Sequence, residues 1–283
     1  MMDRFSNPVL LKELKLRFRA FKSFSGLMFY LAVLCIFVAG FLLIRTQFTG
    51  TNFFRPDDSF TMFAVLSVLQ MGLVMFITPG LTAGAISTER EKQTLNILLT
   101  TTQSSTQIII GKLLSSVAFL VLMLLAGLPL YSLVFLFGGV SPSQFVTIFL
   151  LYLITLVAIG SIGIMFSTIT KKTIVSMIAT YGAMIFLGGI TAFFFFMGVS
   201  MEQMSMGMST ATPFAPITYF WASINPGALM VTILYPEMAN SLESVVGISL
   251  PIWVVYLIFY ILLTVFCLFV AIRKLRANMK TNR

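Results

Sequence analysis

The 283-residue chain has no histidine, two cysteines and nine acidic residues. Without histidine there is no Ser-His-Asp hydrolysis and no histidine-ligated zinc or haem. Cys35 and Cys267 both lie inside apolar runs. They offer neither a disulfide framework nor a zinc ribbon and read as small core hydrophobes. No Gly-x-x-x-x-Gly-Lys-Ser/Thr loop occurs, so the chain does not hold ATP phosphates in that manner. Charged residues make up only 10% of the chain, against about 25% in an ordinary soluble domain. None of the acids falls within a long apolar run. That disfavours proton-coupled transport, which places carboxylates inside the membrane, and leaves an intramembrane enzyme no acid–base pair.

Apolar residues are abundant. They form 58% of the chain, and the mean hydropathy is +1.00. Such a composition suits a surface facing lipid. Six runs are long enough to cross a bilayer as helices: 27–44, 60–86, 108–137, 145–169, 173–199 and 248–272. Sixteen of the eighteen basic residues fall on one side of this arrangement, and only Arg45 and Arg55 fall on the other. Five of the nine acids share the side of those two arginines. The positive-inside rule then places both termini in the cytoplasm. The net charge of +9 is a topological signature and gives no nucleic-acid signal.

Three segments outside the spans carry organisation. Residues 7–24 read as an amphipathic helix, with Asn7 as cap and Pro8 in the first turn. Leu11, Leu14, Phe18 and Phe21 share one face, and Lys12, Lys15, Arg19 and Lys22 form a basic stripe beside it. This pattern predicts an elbow helix lying on the cytoplasmic leaflet, with its basics toward anionic headgroups. It does not read as a cleavable signal peptide. The loop at 87–107 begins Ser87-Thr88-Glu89-Arg90-Glu91-Lys92-Gln93-Thr94-Leu95. Thr88 and Glu91 have the spacing of a capping box, and Ser104 with Gln107 has the spacing to cap the helix that follows. Leu95, Leu98 and Leu99 supply an apolar face, so a short charged-then-apolar helix is expected on the cytoplasmic side, suited to meeting a partner. The outer loop at 200–247 is cut by Pro213, Pro216, Pro226 and Pro236. A seventh crossing over 217–235 would carry Asn225, Pro226 and Gly227 at its centre, where a continuous helix is poor. Two half-helices that dip in and return fit better.

The remaining candidates have plainer readings. Lys112 is close enough to the interface to snorkel. Gly80 with Gly84, and Gly160 with Gly163, favour close helix packing. Pro79 and Pro129 are expected kinks. Met197, Met201, Met204, Met206 and Met208 read as flexible apolar filler; copper(I) binding by thioethers lacks supporting cysteine or histidine. Phe214, Tyr219, Phe220 and Trp221 read as headgroup-level anchors.

The run from Glu89 to Thr101, the following Ser104-Ser105, the Ile-Ile-Ile-Gly-Lys-Leu-Leu at 108–114 and the opening Asn-Pro-Val-Leu-Leu-Lys-Glu-Leu-Lys at 7–15 resemble the membrane subunits of type-two ABC exporters. The Ile-Asn-Pro at 224–226 is similar to a further feature of that family. The resemblance implies an all-α polytopic permease domain over residues 1–283, with six transmembrane helices, an elbow helix, a cytoplasmic coupling helix and an outer re-entrant helical pair. It also implies partners: a cytoplasmic ATP-binding subunit in two copies, carrying ATP and Mg, and a second permease subunit, identical or related. The chain itself would bind no cofactor and no metal.

Glu89, Arg90, Glu91, Lys92, Thr94 and Leu95 are then the expected ATPase contacts, the charges orienting and the leucine anchoring. The expected function is ATP-driven export of a hydrophobic or amphipathic substrate, such as a drug, peptide or lipid. The expected place is a bacterial plasma membrane. A second hypothesis, from a different class, is a non-transporting scaffold or immunity protein that sequesters an amphipathic toxin.

Overall fold

The computed structural model describes residues 8–19, 21–48, 55–95, 104–205, 215–238 and 251–281. The described residues are helical, and no strand occurs among them. An amphipathic helix α1 (Pro8–Arg19) precedes α2 (Phe21–Phe48) and α3 (Pro56–Thr82). A short helix α4 (Ser87–Glu91) follows, then α5 (Ser105–Phe137) and α6 (Pro142–Ile169). The next span is composite. Helix α7 (Thr173–Ile185) runs through a π-turn (Phe186–Ile190) into α8 (Thr191–Ser205). Two short helices, α9 (Ala215–Ile224) and α10 (Pro226–Leu234), come before α11 (Ile252–Thr281).

Among the described residues, six helical segments are long and apolar enough to cross a membrane: Ser23–Arg45, Pro56–Glu91, Ser105–Phe137, Pro142–Ile169, Thr173–Met201 and Ile252–Leu275. The ends differ from the hydropathy runs by a few residues, because capping residues sit outside an apolar run. Ser104, as expected, caps α5: its hydroxyl accepts from the Gln107 N–H at 3.2 Å, and the Gln107 side chain returns a bond to the Ser104 N–H at 3.0 Å. Pro8 opens α1, as its fixed φ favours; Asn7 lies outside the described residues.

Helix α6 is the centre of the bundle and packs on α3, α5, α7 and α11. The large core gathers Tyr30, Phe63, Leu66, Met123, Tyr131, Tyr152, Leu156 and Tyr256, among others. A separate cluster closes the basic end: Ile86, Leu95, Ile108, Ile109, Leu113, Ile164, Ala271 and Leu275. Hydroxyls inside lipid need partners, and several threonines here turn back on their own helix. Thr78, Thr82, Thr155, Thr168 and Thr180 each donate to the carbonyl four residues earlier. Tyr152 instead reaches across to the Ser67 carbonyl at 2.9 Å, tying α6 to α3. On the side opposite the basic cluster, Arg45 at the end of α2 pairs with Asp58 at the start of α3 at 2.8 Å.

Close approach of α3 and α6 depends on glycine. A Cβ at Gly163 would overlap the Thr82 side chain of α3, and one at Gly160 would stand 3.5 Å from Thr82 Cγ2 and 3.3 Å from Leu113 Cδ1 of α5. Gly163→Ala is expected to destabilise the protein by about 1–3 kcal/mol through overpacking. Thermal unfolding in detergent checks this. A melting temperature equal to that of the unaltered protein contradicts the close packing.

Candidate functional site

The sequence places most of its informative charge beside the basic end of the bundle, and the structure gives Glu13, Glu89, Arg90, Glu91 and Lys112 partners there. Lys112 lies eight residues into α5, about two turns past the cap, and only 4% of it is exposed. It does not snorkel. Its ammonium donates to Glu13 Oε1 of α1 at 2.9 Å and to Glu89 Oε1 of α4 at 3.1 Å. One buried cation therefore holds two separate helices. Glu89 also accepts from the Thr94 hydroxyl through Oε2 at 2.9 Å. Arg17, one turn along α1 from Glu13, points at the Leu81 carbonyl of α3 at 3.5 Å. Burial pushes its guanidinium below the ordinary arginine range, and the Glu13 charge opposes that shift. Phe18 meets Phe119 with ring centroids 6.1 Å apart. The elbow helix is thus keyed into α3 and α5. Lys15 and Arg19 stay exposed, where a headgroup contact requires them. The side chains of Lys12 and Lys22 lie outside the described ones.

Helix α4 is stapled to the junction between α6 and α7. Its first free N–H groups, those of Ile86 and Ser87, donate to the Ser167 hydroxyl of α6 at 2.8 and 2.9 Å. Ser167 does the work of a cap from 80 residues away in sequence. This corrects the capping box read at Thr88 and Glu91. The helix starts before Thr88, whose hydroxyl lies 3.3 Å from that of Thr173. Glu91 falls in the last turn and caps a different helix. It accepts from the Thr173 N–H at 2.8 Å and from the Thr173 hydroxyl at 2.9 Å, at the start of α7. A carboxylate suits that position, since a helix N-terminus carries partial positive charge. Arg90 serves the opposite pole. Its two terminal nitrogens donate to the Thr170 and Thr168 carbonyls at 2.6 and 2.9 Å, at the C-terminus of α6.

The chain leaves α4 through a Schellman turn. The Thr94 N–H donates to the Glu89 carbonyl and the Gln93 N–H to the Arg90 carbonyl, each at 3.0 Å. Gln93 takes φ +58°, a conformation that costs a residue with a Cβ about 1 kcal/mol. Glu91, Lys92, Gln93 and Thr94 are exposed on this turn. Leu95 is buried at 6% exposure among Ile86, Ile108 and Leu275. The bundle itself therefore covers this leucine. Leu98 and Leu99 lie outside the described residues.

A second constellation sits at the re-entrant pair. Helices α9 and α10 meet at a 94° bend around Asn225. The Asn225 side-chain oxygen accepts from the Ala228 N–H at 2.8 Å and caps α10, with Pro226 in its first turn. Its NH₂ donates to the Gly188 carbonyl at 2.8 Å and to the Thr191 hydroxyl at 2.7 Å. Thr191 donates onward to the Leu187 carbonyl at 2.6 Å. Gly227 is exposed beside the cap. Tyr260 of α11 donates to the Ile224 carbonyl at 3.1 Å. Trp221 stacks on Phe194 at 4.9 Å, and Tyr219 is buried in the core, so these aromatics pack within the chain. Phe214 lies outside the described residues, and Phe220 is half exposed.

Residues 22–279 match the family model for the ABC-2 family transporter protein. The chain belongs to the ABC-2 transporter family. No curated protein matches it. Membership makes it a multi-pass membrane permease of an ABC transporter, a transport subunit whose family works with an ATP-binding partner. In this permease, sequence reading missed Glu13, Arg17, Ser167, Thr168, Thr170, Thr173 and Thr191 as partners of the loop and the turn. Only Lys112 carried a signal, as the one charge inside a long apolar run.

Proposed function

We propose that this permease is the membrane half of an ATP-driven exporter for a hydrophobic or amphipathic substrate, the class that includes drugs, peptides and lipids. Two copies of a cytoplasmic ATP-binding subunit hold ATP and Mg, and a second permease, identical or related, completes the pathway. Both termini lie in the cytoplasm of a bacterial cell, and the protein sits in its plasma membrane.

One observation carries this reading: the exposed turn Lys92, Gln93 and Thr94 is held rigidly out from the bundle by groups already committed inside it. Glu89, Arg90 and Leu95 fix the loop to α5 and α6, and Glu91 fixes it to α7. The turn is then the contact edge, and the stapled helix is the lever that passes a push from the ATPase to three spans. A lever needs this division, since a mobile loop would absorb the displacement it should transmit.

Co-purification of the complex and ATP-dependent uptake into inverted vesicles test it. Lys92→Glu reverses the charge of an exposed side chain on this turn and is expected to weaken ATPase association on the order of 10-fold, about 1.4 kcal/mol. Unchanged association and unchanged uptake together would overturn the contact assignment. An ATPase that never co-purifies would favour the scaffold or immunity reading instead.

A further inference from the structure

Span five is not a plain helix. At Phe186–Ile190 its backbone widens, and the Thr191 N–H donates to the Phe186 carbonyl five residues back. A π-turn accommodates one residue more than an α-helix needs and recurs at functional positions. It leaves neighbouring carbonyls poorly served by the helix ladder. Here two of them, Leu187 and Gly188, take side-chain donors instead. Asn225 bears on both: it donates to the Gly188 carbonyl directly and to the hydroxyl of Thr191, whose own proton goes to Leu187. Asn225 is only 3% exposed and belongs to a different element, the elbow of the re-entrant pair.

We propose that the π-turn is a two-state register switch, and that Asn225 is the clip that holds it in the widened state. If the re-entrant pair moves away from span five, the amide leaves, and the segment relaxes to an α-helix. The extra residue must then be taken up along the axis. Everything from Thr191 to Ser205 advances about 1.5 Å and turns by about 100°. Phe194 rotates off the face of Trp221, and a different set of side chains faces the neighbouring helix. Two features make such a rotation feasible. Gly188 and Gly189 lie inside the π-turn, and the α8 face carrying Phe193, Phe196 and Met197 is exposed, while the opposite face, where Gly198 lies tight against Thr218 of α9, is freed as the pair moves away. The switch couples the position of the outer pair to the identity of the span-five face. It requires no ATPase and stands whether or not the exporter reading does.

The chain has two tryptophans. Trp253→Phe leaves Trp221 as the only reporter of the Phe194 stack, in the purified full-length protein. Asn225→Ser keeps an oxygen to cap α10 but removes the two amide donors; Thr191→Val breaks the relay and leaves the cap untouched. Each is expected to shift the Trp221 emission maximum. Deleting Gly189 from either variant removes the extra residue, returns Thr191–Ser205 to its original register on an α-helix, and is expected to restore the emission. The restoration separates a register change from general loosening, which a deletion would worsen. Emission unchanged in both clip variants overturns the proposal. So does a shift that the deletion fails to reverse.

Discussion

Lys112→Met is expected to lower the stability of the permease by about 2 kcal/mol and to abolish ATP-dependent transport. The argument begins with what the ammonium now does. It lies between Glu13 Oε1 at 2.9 Å and Glu89 Oε1 at 3.1 Å, with its own side chain only 5% exposed. Removing one partner of a buried ion pair typically costs 3–5 kcal/mol, because the remaining charge is left in a poor dielectric. The two carboxylates here are 26% and 30% exposed, so water screens part of that penalty and brings it below that range, to about 2 kcal/mol. Methionine fills the volume of the lysine stem, so a cavity does not explain the loss. What remains is two acids facing each other across the seam between α1, α4 and α5. Melting temperature in detergent measures the first effect. The triple variant Lys112→Met, Glu13→Gln and Glu89→Gln removes the repulsion and is expected to recover most of the stability without recovering transport. An unaltered melting temperature in Lys112→Met would show that the triad carries no stability, and recovered transport in the triple variant would show that the charge link is dispensable for coupling.

The sequence made some of this architecture legible and concealed the rest for a physical reason. Six spans follow from apolar length alone, since a bilayer demands it. The Ser104 cap and the bend at Asn225 follow from local chemistry: a hydroxyl three residues before a glutamine, and a proline after an asparagine. These signals act within one turn. The bonds that hold the loop do not. Glu13 meets Lys112 across 99 residues, and Glu91 meets Thr173 across 82. Thr88 and Glu91 show the limit well. Their spacing satisfies a capping box, yet Ser167 reaches the free N–H groups first and moves the helix start, which releases Glu91 to cap α7. Leu95 shows another limit. Its apolar character is plain in the sequence, but whether a partner or the bundle covers it depends on where Ile108 and Leu275 lie. The π-turn gives almost no signal, because Phe-Leu-Gly-Gly-Ile is an ordinary span segment until Asn225 arrives beside it.

Taken together, the loop contacts form one mechanical unit. Helix α4 is capped by α6, braces the end of α6 and caps the start of α7. Through Glu89 and Lys112 it also holds α5 and α1. A displacement applied to the exposed turn therefore reaches the spans through hydrogen bonds between about 2.6 and 3.1 Å, a range in which small movements cost energy steeply. That stiffness is what a coupling element requires, and it predicts which contact matters most for passing movement to α6.

Arg90 is that contact. Arg90→Lys is expected to leave ATPase association intact and to reduce transport by at least ~10-fold, with Arg90→Met doing the same. The guanidinium reaches two carbonyls at once, those of Thr168 and Thr170, at the open end of α6. Hydrogen bonds from a charged donor contribute about 1.5–3 kcal/mol each, and one of these is as short as 2.6 Å. The planar fork fixes the angle between α4 and α6 as well as their distance. A lysine keeps the positive charge at the negative pole of the helix but offers a single flexible point of attachment, so the angle is lost. If charge alone mattered, Lys would rescue and Met would not. If the fork matters, both fail alike, and a loop that still binds the ATPase moves without carrying α6 along. Measuring ATP hydrolysis beside uptake distinguishes the cases: hydrolysis continuing while uptake collapses is the signature of a loosened lever. Wild-type uptake in Arg90→Lys would assign the role to charge and remove the geometric argument.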